Sequence, residues 1–224
     1  MSNTKPYAKA CDENAGPILE VLQRLVPTLV SPVLEIGSGT GQHSVFFSRA
    51  LPHLQWQTSD LLSMHSGIQM WIDEASLPNL LAPLELDVSY PAHWPSRQYP
   101  VIFTANTTHI MPKEAVADMF RHVGQCLIND GVFIIYGPFM YGGEHTSESN
   151  WQFDLWIRAR ETHCGLRNVD WLQELAHSNG LYLDQDIEMP ANNRILVWKK
   201  SLIRHGQNST AGDVPIAVND GKPA

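Results

Sequence analysis

The stretch Val33-Leu34-Glu35-Ile36-Gly37-Ser38-Gly39-Thr40-Gly41 decides how this chain reads. It opens as a short apolar run and passes through three alternate glycines into Gln42–Leu51, where apolar residues recur at helical spacing. Glycines allow positive φ and let the backbone approach a ligand with no Cβ in the way, so a strand–loop–helix of this kind suits a bound small molecule. A dinucleotide fingerprint G-x-G-x-x-G beginning at Gly37 requires glycine at position 42; Gln42 stands there, which disfavours NAD. The carboxylate of Glu35 beside the loop would repel a pyrophosphate and attract a cation, so the expected ligand carries positive charge at that end.

Outward from this loop, short β-rich runs alternate with longer amphipathic stretches, the pattern of βαβ units in a mostly parallel sheet. Strands are expected at Val33–Ile36, Gln55–Ser59, Leu84–Val88, Val101–Ala105 and Val132–Tyr136, several of them continuously apolar as when helices cover both faces. Helices are expected at Ala15–Leu25, Gln42–Leu51, Ser66–Glu74, Lys113–Leu127 and Val169–Asn179. Extended runs at Leu183–Glu188 and Arg194–Lys199 read as an antiparallel edge pair. Residues 1–200 are expected to form a single domain, with 1–14 as an N-terminal segment and 142–167 as a lid or acceptor-binding insert. The tail 201–224, rich in Gly, Asn, Ser and Pro, is expected to be disordered.

Two further acids complete the candidate cofactor site. Asp60, with Leu61 after it, ends the second strand, where a carboxylate reaches both hydroxyls of a ribose; Asp87-Val88 lies past the third, placed to accept from an adenine amine and cover its ring. Ligands of open α/β sheets bind at the carboxyl ends of strands, so Glu35, Asp60 and Asp87 converge on one crevice.

Glu35-Ile36-Gly37-Ser38-Gly39-Thr40-Gly41 resembles the hallmark loop of class I S-adenosylmethionine-dependent methyltransferases, and the order of Asp60, Asp87 and Asn106 is similar to that family's later motifs. The resemblance covers roughly Ala15–Lys199. It implies a Rossmann-like, doubly wound α/β sheet of seven strands, mostly parallel, and S-adenosylmethionine as cofactor, held by Glu35, Gly37, Ser38, Gly39, Thr40, Gly41, Asp60, Leu61, Asp87, Val88 and Asn106. More narrowly, Gly41-Gln42-His43, Trp56–Asp60, Tyr136–Phe139, Ser149–Asp154 and Glu188–Asn193 resemble the methyltransferase-like protein 26 branch, which implies no acceptor.

Methyl transfer needs an aligned acceptor, exclusion of water and, for an acceptor atom carrying a proton, a base. Candidates follow the fourth and fifth strands: His109 as base, Asn106 as a positioning group, and Tyr136 with Pro138-Phe139 as a wall. Trp151 and Trp156 with Tyr7 are expected to enclose a small planar or apolar acceptor. No Asn-Pro-Pro-Tyr-type stretch follows the fourth strand, which disfavours methylation of adenine or glutamine amines. The ten histidines show no metal-ligand spacing, so no metal is expected. A net charge of −8 with no basic stripe disfavours nucleic acid as partner. With 43% hydrophobic and 17% charged residues, no apolar run of membrane-spanning length and no secretory signal, the chain is expected to be soluble and cytoplasmic. Cys11, Cys126 and Cys164 are expected to be buried apolar groups without chemistry. A small-molecule acceptor leads; transfer to a protein side chain, and a non-catalytic sensor or scaffold keeping the nucleoside site, remain open alternatives. A dehydrogenase on a similar sheet is the weakest alternative. Oligomeric state has no signature in the sequence.

Overall fold

The computed structural model describes residues 4–25 and 31–201. In chain order its elements are α1 (Lys9–Leu25), β1 (Val33–Glu35), α2 (Gln42–Ala50), β2 (Trp56–Asp60), α3 (His65–Ala75), β3 (Leu80–Glu85), β4 (Tyr99–Ala105), α4 (Lys113–Cys126), β5 (Leu127–Gly137), β6 (Phe139–Tyr141), β7 (Glu144–His145), α5 (Glu148–Arg160), β8 (Arg167–Asn168), α6 (Val169–Ser178), β9 (Leu181–Met189) and β10 (Asn193–Lys200). The main sheet has seven strands in the order β3-β2-β1-β4-β5-β10-β9. Pairing is parallel from β3 to β5, and β10 is antiparallel to both its neighbours. This is the α/β architecture expected from the sequence, antiparallel pair included.

The strands are apolar on both faces because successive residues serve different layers. Val33, Val101, Phe103, Ile134 and Val197 face a core closed by α1, α2 and α3. Leu34, Ile102, Phe133, Ile135 and Trp198 face a second core closed by α4 and α6. On α4 the stripe Val116, Met119, Phe120 and Val123 is wholly buried, and each such side chain contributes about 1.5–3 kcal/mol. A one-residue slip of any central strand would exchange the two cores, which fixes the register.

Three elements depart from the expected pattern. The third strand is Leu80–Glu85 and not Leu84–Val88. It lies at the sheet edge, pairs only with β2 and tolerates Pro83 there. Leu86 and Val88 are apolar because they are buried in the core closed by α4 and α6, not because they are in a strand. The first helix begins at Lys9, ahead of Ala15, because side chains fix its polar first turn: Gln42 Oε1 accepts from the Ala8 N–H at 2.6 Å and Gln42 Nε2 donates to Asp12 at 2.8 Å. The segment expected as an insert, 142–167, contains β7 and α5, and β7 joins β6 and β8 in a small three-stranded sheet. The tail expected to be disordered lies outside the described residues from 202 onward. Among the described residues no helix is long and apolar enough to cross a membrane.

Candidate functional site

The strand order reverses direction between β1 and β4, so the loops after these two strands diverge and open a crevice at their carboxyl ends. The glycine loop forms one lip. Gly37, Gly39 and Gly41 all take positive φ, at 69°, 59° and 92°. A Cβ on Gly37 would lie 2.6 Å from the Thr107 methyl, whereas one on Gly39 would meet no protein atom within 4 Å and would project into the crevice. Two of the loop's glycines thus have different reasons to be there: one for packing against the β4 loop, the other for an open face.

Beneath the loop, Glu35 is 2% exposed. Its Oε2 accepts from Ser38 Oγ at 3.0 Å, from Trp56 Nε1 at 2.9 Å and from Ser44 Oγ. Burial pushes its carboxyl above the ordinary value, and these three donors oppose that shift. Glu35 does not line the crevice but ties β1, β2 and α2 together under it. Asp60 does line it, at the end of β2; its two oxygens accept from the Gly39 and Leu61 N–H groups, each at 2.7 Å. Burial raises its carboxyl despite those bonds. Asp87, Val88, Leu61, Ser38 and Thr40 complete one continuous cavity of about 640 Å³.

A second cavity of about 540 Å³ adjoins the first, and Ala8, Cys11 and Asn106 line both. Asn106 takes the left-handed conformation, φ 58°, as its N–H donates to the Tyr136 carbonyl. The walls are the start of α1, the β4 loop with His109, the end of β5 with Tyr136 and Pro138, Phe153 of α5, and the β9–β10 turn. His109 is 5% exposed, its Nδ1 has no hydrogen-bond partner, and its ring packs edge-on against Phe153. Burial, aided by the Arg167 charge, lowers its pKa to about 4, so the ring is neutral at physiological pH. Tyr136 moves the other way: burial pushes its hydroxyl up to about 12, leaving it protonated.

All three catalytic candidates therefore face one cavity. The expected aromatic enclosure is built differently. Trp151, Trp156 and Tyr7 are 44%, 53% and 60% exposed, and Phe153 is the α5 aromatic in the wall, because the side of α5 facing the sheet carries Phe153 and Ile157 while the tryptophans face outward. Phe139 is wholly buried in the core beneath α4 and α6. No site role was expected from the sequence for Cys11, Asn14, His43 or the turn Pro190–Asn193, although His43 and that turn lie in two of the segments that carry the narrower resemblance. His43 Nε2 lies 2.6 Å from Asn14 Oδ1 and its ring stacks on Phe47; burial lowers its pKa to about 4. Cys11 has no motif around it, and only the fold brings it to the junction of the two cavities.

The segment carrying Phe153 is anchored at both ends. Asp154 accepts from the Leu166 N–H at 2.7 Å and from Arg158 Nε at 2.9 Å, and pairs with His145 at 3.0 Å. Buried Arg167 donates to the carbonyls of Thr108, Met111 and His163, stapling the His109 loop to this segment. Among the described residues no group of three or more His, Cys, Asp or Glu side chains converges to hold a metal ion.

A family model described as a protein of unknown function (DUF938) matches residues 5–200. Among solved structures, an O-methyltransferase family protein from Burkholderia thailandensis superposes with a TM-score of 0.75 at 17% identity, over 86% of this chain and 57% of its own. Human N-acetylserotonin methyltransferase, solved in complex with S-adenosylmethionine, gives 0.73 at 12% identity over 87% and 53%. Mitomycin 7-O-methyltransferase gives 0.72 at 14% over 86% and 54%. The chain thus spans little more than half the length of these proteins, and what it shares with them is the fold.

Proposed function

This chain belongs to the family described as protein of unknown function (DUF938), and we propose that it binds S-adenosylmethionine in the first cavity and transfers the methyl group to a small molecule held in the second. The observation that carries this reading is the junction: two cavities, one floored by the glycine loop and the other walled by His109 and Tyr136, meet at Asn106, Ala8 and Cys11.

The residues present fit the cofactor. Gly39 leaves open the space a Cβ would occupy, Asp60 offers a carboxylate to vicinal hydroxyls, and Asp87 and Val88 sit where a purine edge and face would lie. When bound, S-adenosylmethionine supplies a methyl group on a sulfonium, transferred by in-line displacement with the sulfur leaving as a neutral thioether. Every other task falls to the chain. Asn106 spans both cavities and lines up the acceptor atom with the first; the walls of α1 and α5 exclude water. Neutral His109 accepts a hydrogen bond from the acceptor's X–H group and takes that proton as X gains the methyl group, and the protonated Tyr136 hydroxyl donates to a second polar atom.

The segments that resemble the methyltransferase-like protein 26 branch support a shared acceptor site, since Tyr136 and Pro138, Asn150 and Phe153, and Pro190 and Asn193 come from three of them and all line the second cavity. Calorimetry tests the reading: S-adenosylmethionine should bind, and Asp60→Ala should weaken it roughly 100-fold by removing two charged hydrogen bonds. Gly39→Arg should abolish binding by filling the cradle. Unchanged affinity in both variants removes the assignment.

A further inference from the structure

We propose that the second cavity selects an uncharged, hydrogen-bonding small molecule and rejects anionic ones. This rests on the reading of that cavity as the acceptor site and adds the chemical class it takes. Among the described residues no lysine or arginine lines it, and the one formal charge they bring there is the carboxylate of Glu13, paired with Lys9 at 2.6 Å. The cations on the segments that wall it are already engaged, Lys9 with Glu13 itself. Arg167, behind His109, gives its donors to three backbone carbonyls. Arg158 is held by Asp154, and Arg194, next to Asn193, by Asp186 at 2.7 Å and Glu188 at 3.0 Å.

What the cavity offers instead is neutral polarity. Asn14, Asn106, Asn150 and Asn193 line it from four separate elements; the Asn150 and Asn193 side-chain N–H groups are given to Thr146, Asn192 and Pro190 and the Asn14 oxygen meets His43, so what faces a ligand is chiefly the Asn106 amide, the carbonyl oxygens of Asn150 and Asn193, and the buried His109 ring with its unpartnered nitrogen. Between them lie Phe153, Pro138, Pro190, Ala10 of α1 and Ala8 just before it, a surface for a flat, largely apolar body. An anion entering here would shed water without gaining a free counter-charge, since the Lys9 ammonium is already held by Glu13; a neutral molecule has no charge to desolvate and is spared that cost. The wall is also fixed in shape. Ala191 and Asn192 both take positive φ, at 57° and 58°, and Asn192 exchanges hydrogen bonds with α5: its carbonyl accepts from Asn150 Nδ2 at 2.9 Å and its Nδ2 donates to Ser149 Oγ at 3.1 Å.

The test is a binding screen on the full chain, read by the imidazole resonances of His109 and run with S-adenosylhomocysteine present and absent. The probes are flat hydroxyl-bearing aromatics in matched pairs, such as 2-naphthol with 6-hydroxy-2-naphthoate. Neutral members should shift the His109 signals and their carboxylated partners should not, while Asn193→Lys should tighten the carboxylated members by up to about fivefold, the gain of a partly exposed ion pair. Equal or better binding by the carboxylated members, or no shift of His109 by any probe, overturns the proposal. Calorimetry with S-adenosylhomocysteine keeps the two readings apart, because nucleoside binding without the charge preference sinks only this inference, whereas no nucleoside binding sinks the methyl-transfer reading and leaves any charge preference as a property of a cavity that holds no acceptor.

Discussion

Glu35 gathers three donors on one buried oxygen, and of these the Trp56 indole cannot rotate toward another acceptor. Glu35→Ala should therefore cost about 3 kcal/mol in urea unfolding, mostly from the stranded N–H and the space left behind. The loop above it separates two roles of glycine. At Gly37 an added methyl meets Thr107 at 2.6 Å and positive φ as well, so Gly37→Ala should destabilise by about 2 kcal/mol or more. Gly39→Ala should cost only the backbone term, about 1 kcal/mol, yet weaken binding of the nucleoside because its methyl enters the crevice. Unfolding and calorimetry on the two variants check the contrast; the reverse ranking of stabilities would show the loop to be misread. The glycines and Asp60 were legible because their chemistry is local, whereas the position of Glu35 under the loop follows only once Trp56 and Ser44 are brought to it from other elements.

At the scale of elements, legibility followed periodicity. Helix α4 presents one apolar stripe and was read to within a residue, but α5 carries Trp151, Phe153, Leu155, Trp156 and Ile157 around its whole circumference and gives no single stripe to find. Its order comes from Asp154 and Arg167. Burial alone would raise the Asp154 carboxyl, but Arg158, the Leu166 N–H and His145 outweigh it and hold it below the ordinary range. Removing these anchors with Asp154→Ala should raise amide exchange in α5 and in residues 162–167 by at least tenfold while β1, β4 and β5 keep their protection. The same variant should retain nucleoside binding and lose binding in the second cavity, since Phe153 and the His109 loop hang on that segment. Exchange that rises uniformly over the sheet would mean that the segment has no stability of its own to lose.

For the molecule as a whole, fold class was readable because alternating strands and helices leave few ways to bury both faces of a parallel sheet, while of the second cavity only Asn106, His109, Tyr136 and Pro138 were named in advance, its outline being assembled from five separated parts of the chain. That assembly has a titration consequence. His43 and His109 are buried neutral, with pKa values lowered to about 4 from 6.5, by burial first in both cases. Below pH 6.5 the unfolded chain binds a proton at each ring and the folded chain does not, so stability falls as pH falls through the window from 6.5 to about 4. Each ring accounts for up to about 3 kcal/mol. Glu35 and Asp60, raised by burial, act in the opposite sense, losing stability as pH rises, so the wild-type curve alone is a sum of both. The difference between wild type and His109→Gln isolates one ring. It should be constant above pH 7 and shift by up to about 3 kcal/mol in favour of the variant by pH 4, with urea midpoints as the measurement. A difference independent of pH over that range would mean that His109 is solvated in the fold, and the cavity it walls would have to be drawn without it.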